Sequence, residues 1–120
     1  MSEKAPSIRR FGMLVVDCHD AETLGRFWAD LLGGSLEIDA DSDATVRAEG
    51  IRLDFLNVPD VKLGKNRLHI DVVASDVGEA TQQAMALGAT LANDVYDGPR
   101  WQVMRDPEGN EFCILPPELG

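Results

Sequence analysis

The sequence predicts an α+β fold made of two βαβββ modules, and three observations carry that expectation. Sliding the chain against itself sets residues 11–36 under residues 68–91. At an offset of 56 the Val15-Val16 and Val72-Val73 pairs nearly coincide and Asp20 falls under Asp76, and one extra residue near Gly33 then brings Gly33 under Gly88. A second match sets EGIRLDFL, from Glu49, under EGNEFCIL, from Glu108. The third observation is the same order of periodicities in each copy: an apolar strand-like run, a helical stripe, then short strand-like segments. Two copies imply a pseudo-two-fold molecule rather than a solenoid, because stacked arrays need about three repeats.

In chain order, residues 1–8 are polar with a proline and are expected to be a flexible end. Residues 11–17 are short, apolar and β-branched, the pattern of a buried strand. Asp20 is placed to cap a helix whose stripe is Leu24, Phe27, Trp28, Leu31 and Leu32, at i, i+3, i+4, i+7 and i+8. Gly33 and Gly34 provide its left-handed stop. Residues 35–39, 44–48 and 51–57 read as three strands, the last two joined by a turn at Glu49-Gly50. Residues 58–66, with Pro59, Gly64 and no periodicity, form the linker between a first module at about 9–57 and a second at about 67–117. The second module opens with a strand at 67–74. Asp76 and Glu79 follow at capping-box spacing, ahead of a narrow stripe of Val77, Ala80, Ala84 and Leu87 closed by Gly88. Strands at 90–95, 101–105 and 111–115 follow, separated by turns at Asp97-Gly98-Pro99 and at DPEGN, Asp106 to Asn110. The whole of 9–117 is expected to form one domain.

Composition limits the function. At 120 residues, 44% apolar and 27% charged, the chain has material for one core. Its apolar runs are too short for a membrane segment, and the leading MSEKAPSIRR has charges without an apolar stretch, so a cytoplasmic protein is expected. Cys18 and Cys113 are too few for a disulfide framework and are expected to be free thiols. Eleven basic against twenty-one acidic residues leave a net charge of -10, which repels phosphate backbones and anionic lipid and argues against nucleic-acid and membrane partners.

The helix ending FWADLLG, the second-module strand carrying His69, ALGA closing the second helix and DPEGNEF before the last strand occur in this order across residues 9–116. Together they resemble the glyoxalase and bleomycin-resistance group, the vicinal oxygen chelate superfamily. The resemblance implies two βαβββ modules whose sheets curl round a concave cup, and commonly a homodimer. Its metal enzymes carry one ligand on the first and one on the last strand of each module, usually His, Gln or Glu. Through the repeat, those four positions fall on Met13, Asp54, His69 and Cys113. Met13 is a poor donor for a hard ion and Cys113 favours soft metals, so two of the four depart from the pattern. No cofactor is therefore favoured. A divalent metal on His69, Asp54 and Cys113, with a water in the open position, is the alternative.

The resulting expectation is a protein that binds a small organic molecule in the cup, lined by Met13, Asp54, Phe55, His69, Trp101 and Cys113. Phe55 and Trp101 would supply ring faces for stacking. Two rivals stand beside it: a lyase or isomerase in which His69, assisted by Asp54 or Asp71, moves a proton next to a carbonyl, and a structural or accessory interaction protein. Other clusters carry less. In Asp17-Cys18-His19-Asp20 neighbouring side chains point to opposite faces, so at most Asp17 and His19 converge. Phe27 and Trp28 sit on the buried helical stripe. A nucleophilic Cys113 would need His69 as its base.

Overall fold

The computed structural model describes residue 7 and residues 9–94 and 100–120. Its elements run β1 (Leu14–Cys18), α1 (Ala21–Leu32), β2 (Ser35–Ile38), β3 (Ala44–Ala48), β4 (Ile51–Asn57), β5 (Ile70–Val73), α2 (Val77–Ala86), β6 (Thr90–Leu91), β7 (Gln102–Arg105) and β8 (Glu111–Leu115), with a closing 3₁₀ turn at Pro117–Leu119. They form two four-stranded sheets, β1-β4-β3-β2 and β5-β8-β7-β6, each with one parallel pair and two antiparallel ones. The doubled βαβββ order read from the repeat is the order of the molecule.

The repeat extends to register. Val15 lies opposite Asp54 across β1 and β4, and Asp71 lies opposite Cys113 across β5 and β8, the positions that the alignment superposes. Alternation then sorts the two faces of each sheet. Val46, Leu53, Phe55, Met104, Phe112 and Ile114 turn inward to the helices and are buried. Val15, Asp17, Asp54, Asp71 and Cys113 take the opposite face.

Helix α1 begins as its sequence requires. The Asp20 carboxylate accepts from the Thr23 N–H and hydroxyl, and Gly33 ends the helix at φ 68°, a left-handed conformation that glycine adopts without penalty. Its ring pair bridges the modules: Phe27 and Trp28 meet Phe112 of β8 edge-on at centroid distances of 5.9 and 5.0 Å. In α2, Asp76 caps the Glu79 N–H, but of the expected stripe only Ala84 is fully buried, Val77 and Ala80 are partly so, and Leu87 is exposed.

Several boundaries differ from expectation. The first strand begins at Leu14 rather than residue 11. The fifth begins at Ile70 rather than residue 67, because the segment before it is held by side chains instead of a strand partner: Asn66 donates its N–H to the Glu111 carboxylate and its amide group to the Glu111 carbonyl. The sixth strand is only Thr90–Leu91, and Val95 and the Asp97-Gly98-Pro99 turn lie outside the described residues.

Candidate functional site

On the face of the second sheet turned away from the helices, His69, Asp71 and Cys113 converge. His69 Nε2 lies 3.0 Å from Asp71 Oδ1, and the nitrogen, oxygen and sulfur that these three could offer all lie within 4.8 Å of one another. The strands explain the grouping: His69 and Asp71 are two residues apart and so share a face, and Asp71 is the register partner of Cys113. Burial first, then the charge of Asp71 and a hydrogen bond to it, raise the Cys113 thiol above its ordinary value. Cys113 is therefore a thiol at neutral pH, a weak nucleophile.

The first sheet does not complete a four-cornered site in the expected way. Asp54 takes Arg52 Nε and Nη2 at 2.9 Å each on its two oxygens, and Thr45 adds a further hydrogen bond, which with the Arg52 pairing holds this carboxyl below the usual carboxylate range. A ligand atom already shared this way is poorly available to an ion. Met13 stands half-buried just ahead of β1 with only a thioether to offer. The set Met13, Asp54, His69 and Cys113 thus does not fit a hard divalent ion. The His69, Asp71 and Cys113 group, all from the second module, has the composition of a soft-metal site.

Phe55 is placed elsewhere. It is fully buried on the helix side of β4, since it neighbours Asp54 and must face away from it. With Asp54 assigned to one face of β4 through the repeat, strand alternation alone already puts Phe55 on the other. Trp101 is half-buried immediately before β7, in phase with Val103, which pairs with Cys113.

A cleft of about 370 Å³ lies where the edge strand β1 of the first sheet and the start of the edge strand β5 of the second come together. One wall is the β1 segment from Leu14 to Asp17, the other is residues 66–70 including His69, and Trp28, Asp106, Asn110 and Glu111 complete the lining at its base. The DPEGN turn builds that base. Asp106 accepts from Trp28 Nε1 at 3.1 Å and from the N–H groups of Glu108 and Asn110 at 2.9 and 3.0 Å. Burial nonetheless pushes its carboxyl above the ordinary range, against these hydrogen bonds. Glu108 reaches the other module, where its carboxylate accepts the N–H groups of His19 and Asp20 at the start of α1. Glu111 closes one end, taking the Asn66 N–H at 2.8 Å and Lys62 Nζ at 3.3 Å. Burial alone would raise its carboxyl, but Asn66 and Lys62 more than offset this and hold it below the ordinary value. Sequence reasoning missed Asp106, Glu108 and Glu111 as side-chain anchors, because DPEGN reads locally as a turn whatever its side chains do next.

Cys18 is buried, its thiol donating to the Leu56 carbonyl. Burial first, then the charges of Glu108, Asp20, Asp43 and Asp17, push its thiol up to about 12. Both cysteines are free.

A sequence model of the glyoxalase-like domain matches residues 13–115, and the chain belongs to that family. No curated protein matches the sequence. Solved structures agree on the fold. The fosfomycin resistance protein FosX from Listeria monocytogenes is similar with a TM-score of 0.73 and 15% identity over 91% of each chain. A mutant of that protein has been solved complexed with Mn(II) and 1S,2S-dihydroxypropylphosphonic acid. TnmS3, an antibiotic binding protein from Streptomyces sp. CB03234, is similar with a TM-score of 0.64 and 18% identity over 94% of this chain and 99% of that one. The hypothetical protein SA1046 from S. aureus is similar with a TM-score of 0.71 and 11% identity over 91% and 94%. No helix among the described residues is long and apolar enough to cross a membrane.

Proposed function

We propose that this protein binds a small organic molecule at the junction of its two sheets, with His69 as the principal polar contact and without a hard metal ion. The observation that carries the reading is His69 itself, which forms part of the wall of a 370 Å³ cleft while paired with Asp71. That size lies within the range of small-molecule sites, and the mixture of apolar wall and few polar groups suits one. FosX and TnmS3 add support, as proteins of the same fold that handle small molecules. Native mass spectrometry of untagged protein tests the reading directly. A retained organic mass whose binding weakens about threefold to tenfold in His69→Ala, the worth of one hydrogen bond, is the expected result. Unchanged binding in that variant would remove His69 from the site.

The Asp71 pairing favours a second reading, proton transfer. An imidazole oriented by a carboxylate is the arrangement of a general base, and a carbonyl ligand would then exchange its α-proton with deuterated water. A soft divalent ion on His69, Asp71 and Cys113 is the metal-dependent form of that reading. Elemental analysis finding about one zinc per chain, lost in His69→Ala, would replace the metal-free proposal. The protein is further proposed to work as a homodimer, since Val15 and Val73 on the sheet faces turned away from the helices, Leu68 in the cleft wall and Leu63 in the segment between the modules are exposed apolar side chains. Sedimentation showing only the 13.1 kDa species at micromolar concentration would refute it.

A further inference from the structure

The cleft offers more than side chains. Strand β1 ends its sheet and pairs only with β4, and β5 ends the other sheet and pairs only with β8. Among the described residues no backbone hydrogen bond reaches the outer edge of either strand. Four successive β1 residues, Leu14 to Asp17, line the cleft, so both faces and the free edge of the strand border it. At about 3.3 Å per residue this is roughly 13 Å of open strand edge, long enough for three or four extended residues.

The charges at the cleft narrow the ligand further. Of five ionisable side chains on its lining, Asp106 is occupied by Trp28 and two backbone N–H groups, Glu111 by Asn66 and Lys62, and His69 by Asp71. The remaining two, Asp17 on the β1 wall and Arg67 on the opposite wall, form no side-chain hydrogen bond or ion pair among the described residues. One anion and one cation thus stand unmatched on either side of a slot whose wall is an unpaired strand edge.

We propose that the cleft takes a short, extended, zwitterionic peptide-like molecule. Its amide groups add to the free edge of β1, its amine meets Asp17 and its carboxylate meets Arg67. Strand addition of this kind draws affinity from main-chain hydrogen bonds, and a guanidinium matches a carboxylate in two-point geometry. The inference rests on the small-molecule reading above and names the class of ligand.

The test titrates the ¹⁵N-labelled full chain with the tripeptide Thr-Val-Thr. The expected result is progressive shifts of the Leu14–Asp17 and Arg67–Ile70 amides. Acetylating the peptide amine weakens binding by up to about fivefold, as for an exposed ion pair, and Asp17→Asn abolishes that difference. Amidating the carboxylate does the same, with Arg67→Gln abolishing it. Both variants must keep the wild-type amide dispersion, so that a lost preference is not lost folding. Equal affinity for free and blocked peptides, shifts that map elsewhere, or no binding at millimolar concentration overturns the proposal. If the tripeptide fails while a retained organic ligand still responds to His69→Ala, the peptide assignment falls alone. If no ligand responds to His69→Ala, the small-molecule reading falls.

Discussion

Asp106 and Glu111 are both buried carboxylates, yet their surroundings drive them in opposite directions, and the difference is measurable. Asp106 sits above its ordinary value of 3.8, chiefly through burial. A raised folded value favours the protonated form, so its stabilising contribution is complete below about 3.8 and fades as pH rises through the folded value. Glu111 sits below its ordinary value of 4.5, so its contribution is present above 4.5 and fades as pH falls through the folded value. Thermal unfolding between pH 3 and 7 separates them: Asp106→Asn compares more favourably with wild type at pH 7 than at pH 3, whereas Glu111→Gln costs stability at pH 7 and loses that cost on acidification. Trp28→Phe keeps the ring packing but leaves a buried Asp106 oxygen without its indole donor, and should cost about 1–3 kcal/mol in chemical denaturation. Equal stability of Trp28→Phe and wild type would mean that water replaces the bond. These residues were legible only as types. DPEGN announced a turn, and nothing local says that its first acid meets a tryptophan 78 residues away.

The elements themselves were far more legible, because periodicity reports burial within a single segment. Helix α1 follows its predicted stripe, and its closeness to the sheet has a cause that the stripe does not reveal. A Cβ on Gly25 would stand 2.8 Å from Ala44 Cβ and 3.0 Å from Leu36 Cδ1, so the glycine lets the helix touch β2 and β3. Gly34 is tighter still: a Cβ there would run into the backbone carbonyl oxygen of Arg47. Gly34→Ala is expected to cost about 1–3 kcal/mol, because backbone cannot yield as a flexible side chain does. A denaturation midpoint unchanged by that substitution would show that the end of β3 at Arg47 and Ala48 shifts freely. The strand ends were less legible: residues 67–69 have strand-forming character, but Glu111 holds Asn66 just before them. Phe55 illustrates the reverse case, a residue whose face followed from its neighbour by simple alternation.

At the scale of the molecule, the doubling of the sequence became a doubling of register: Val15 faces Asp54 as Asp71 faces Cys113, so His69 holds in the second module the position that Met13 holds in the first. The charge of -10 is also a whole-molecule property. Like charges crowded on one compact surface repel, so the melting temperature should rise between 20 and 300 mM salt as screening shortens their reach. A melting temperature independent of salt would count against net repulsion. What the repeat could not convey is the asymmetry between its copies: the second module's tight turn grips α1 of the first through Glu108 and Trp28 through Asp106. That grip joins two stretches of chain on either side of the exposed segment around Leu63, which is itself no strand or helix. The peptide bond there is consequently dispensable in principle: two separately expressed halves, cut between Leu63 and Gly64, carry complementary recognition elements and would find each other in solution, with Glu108→Ala weakening their reassembly.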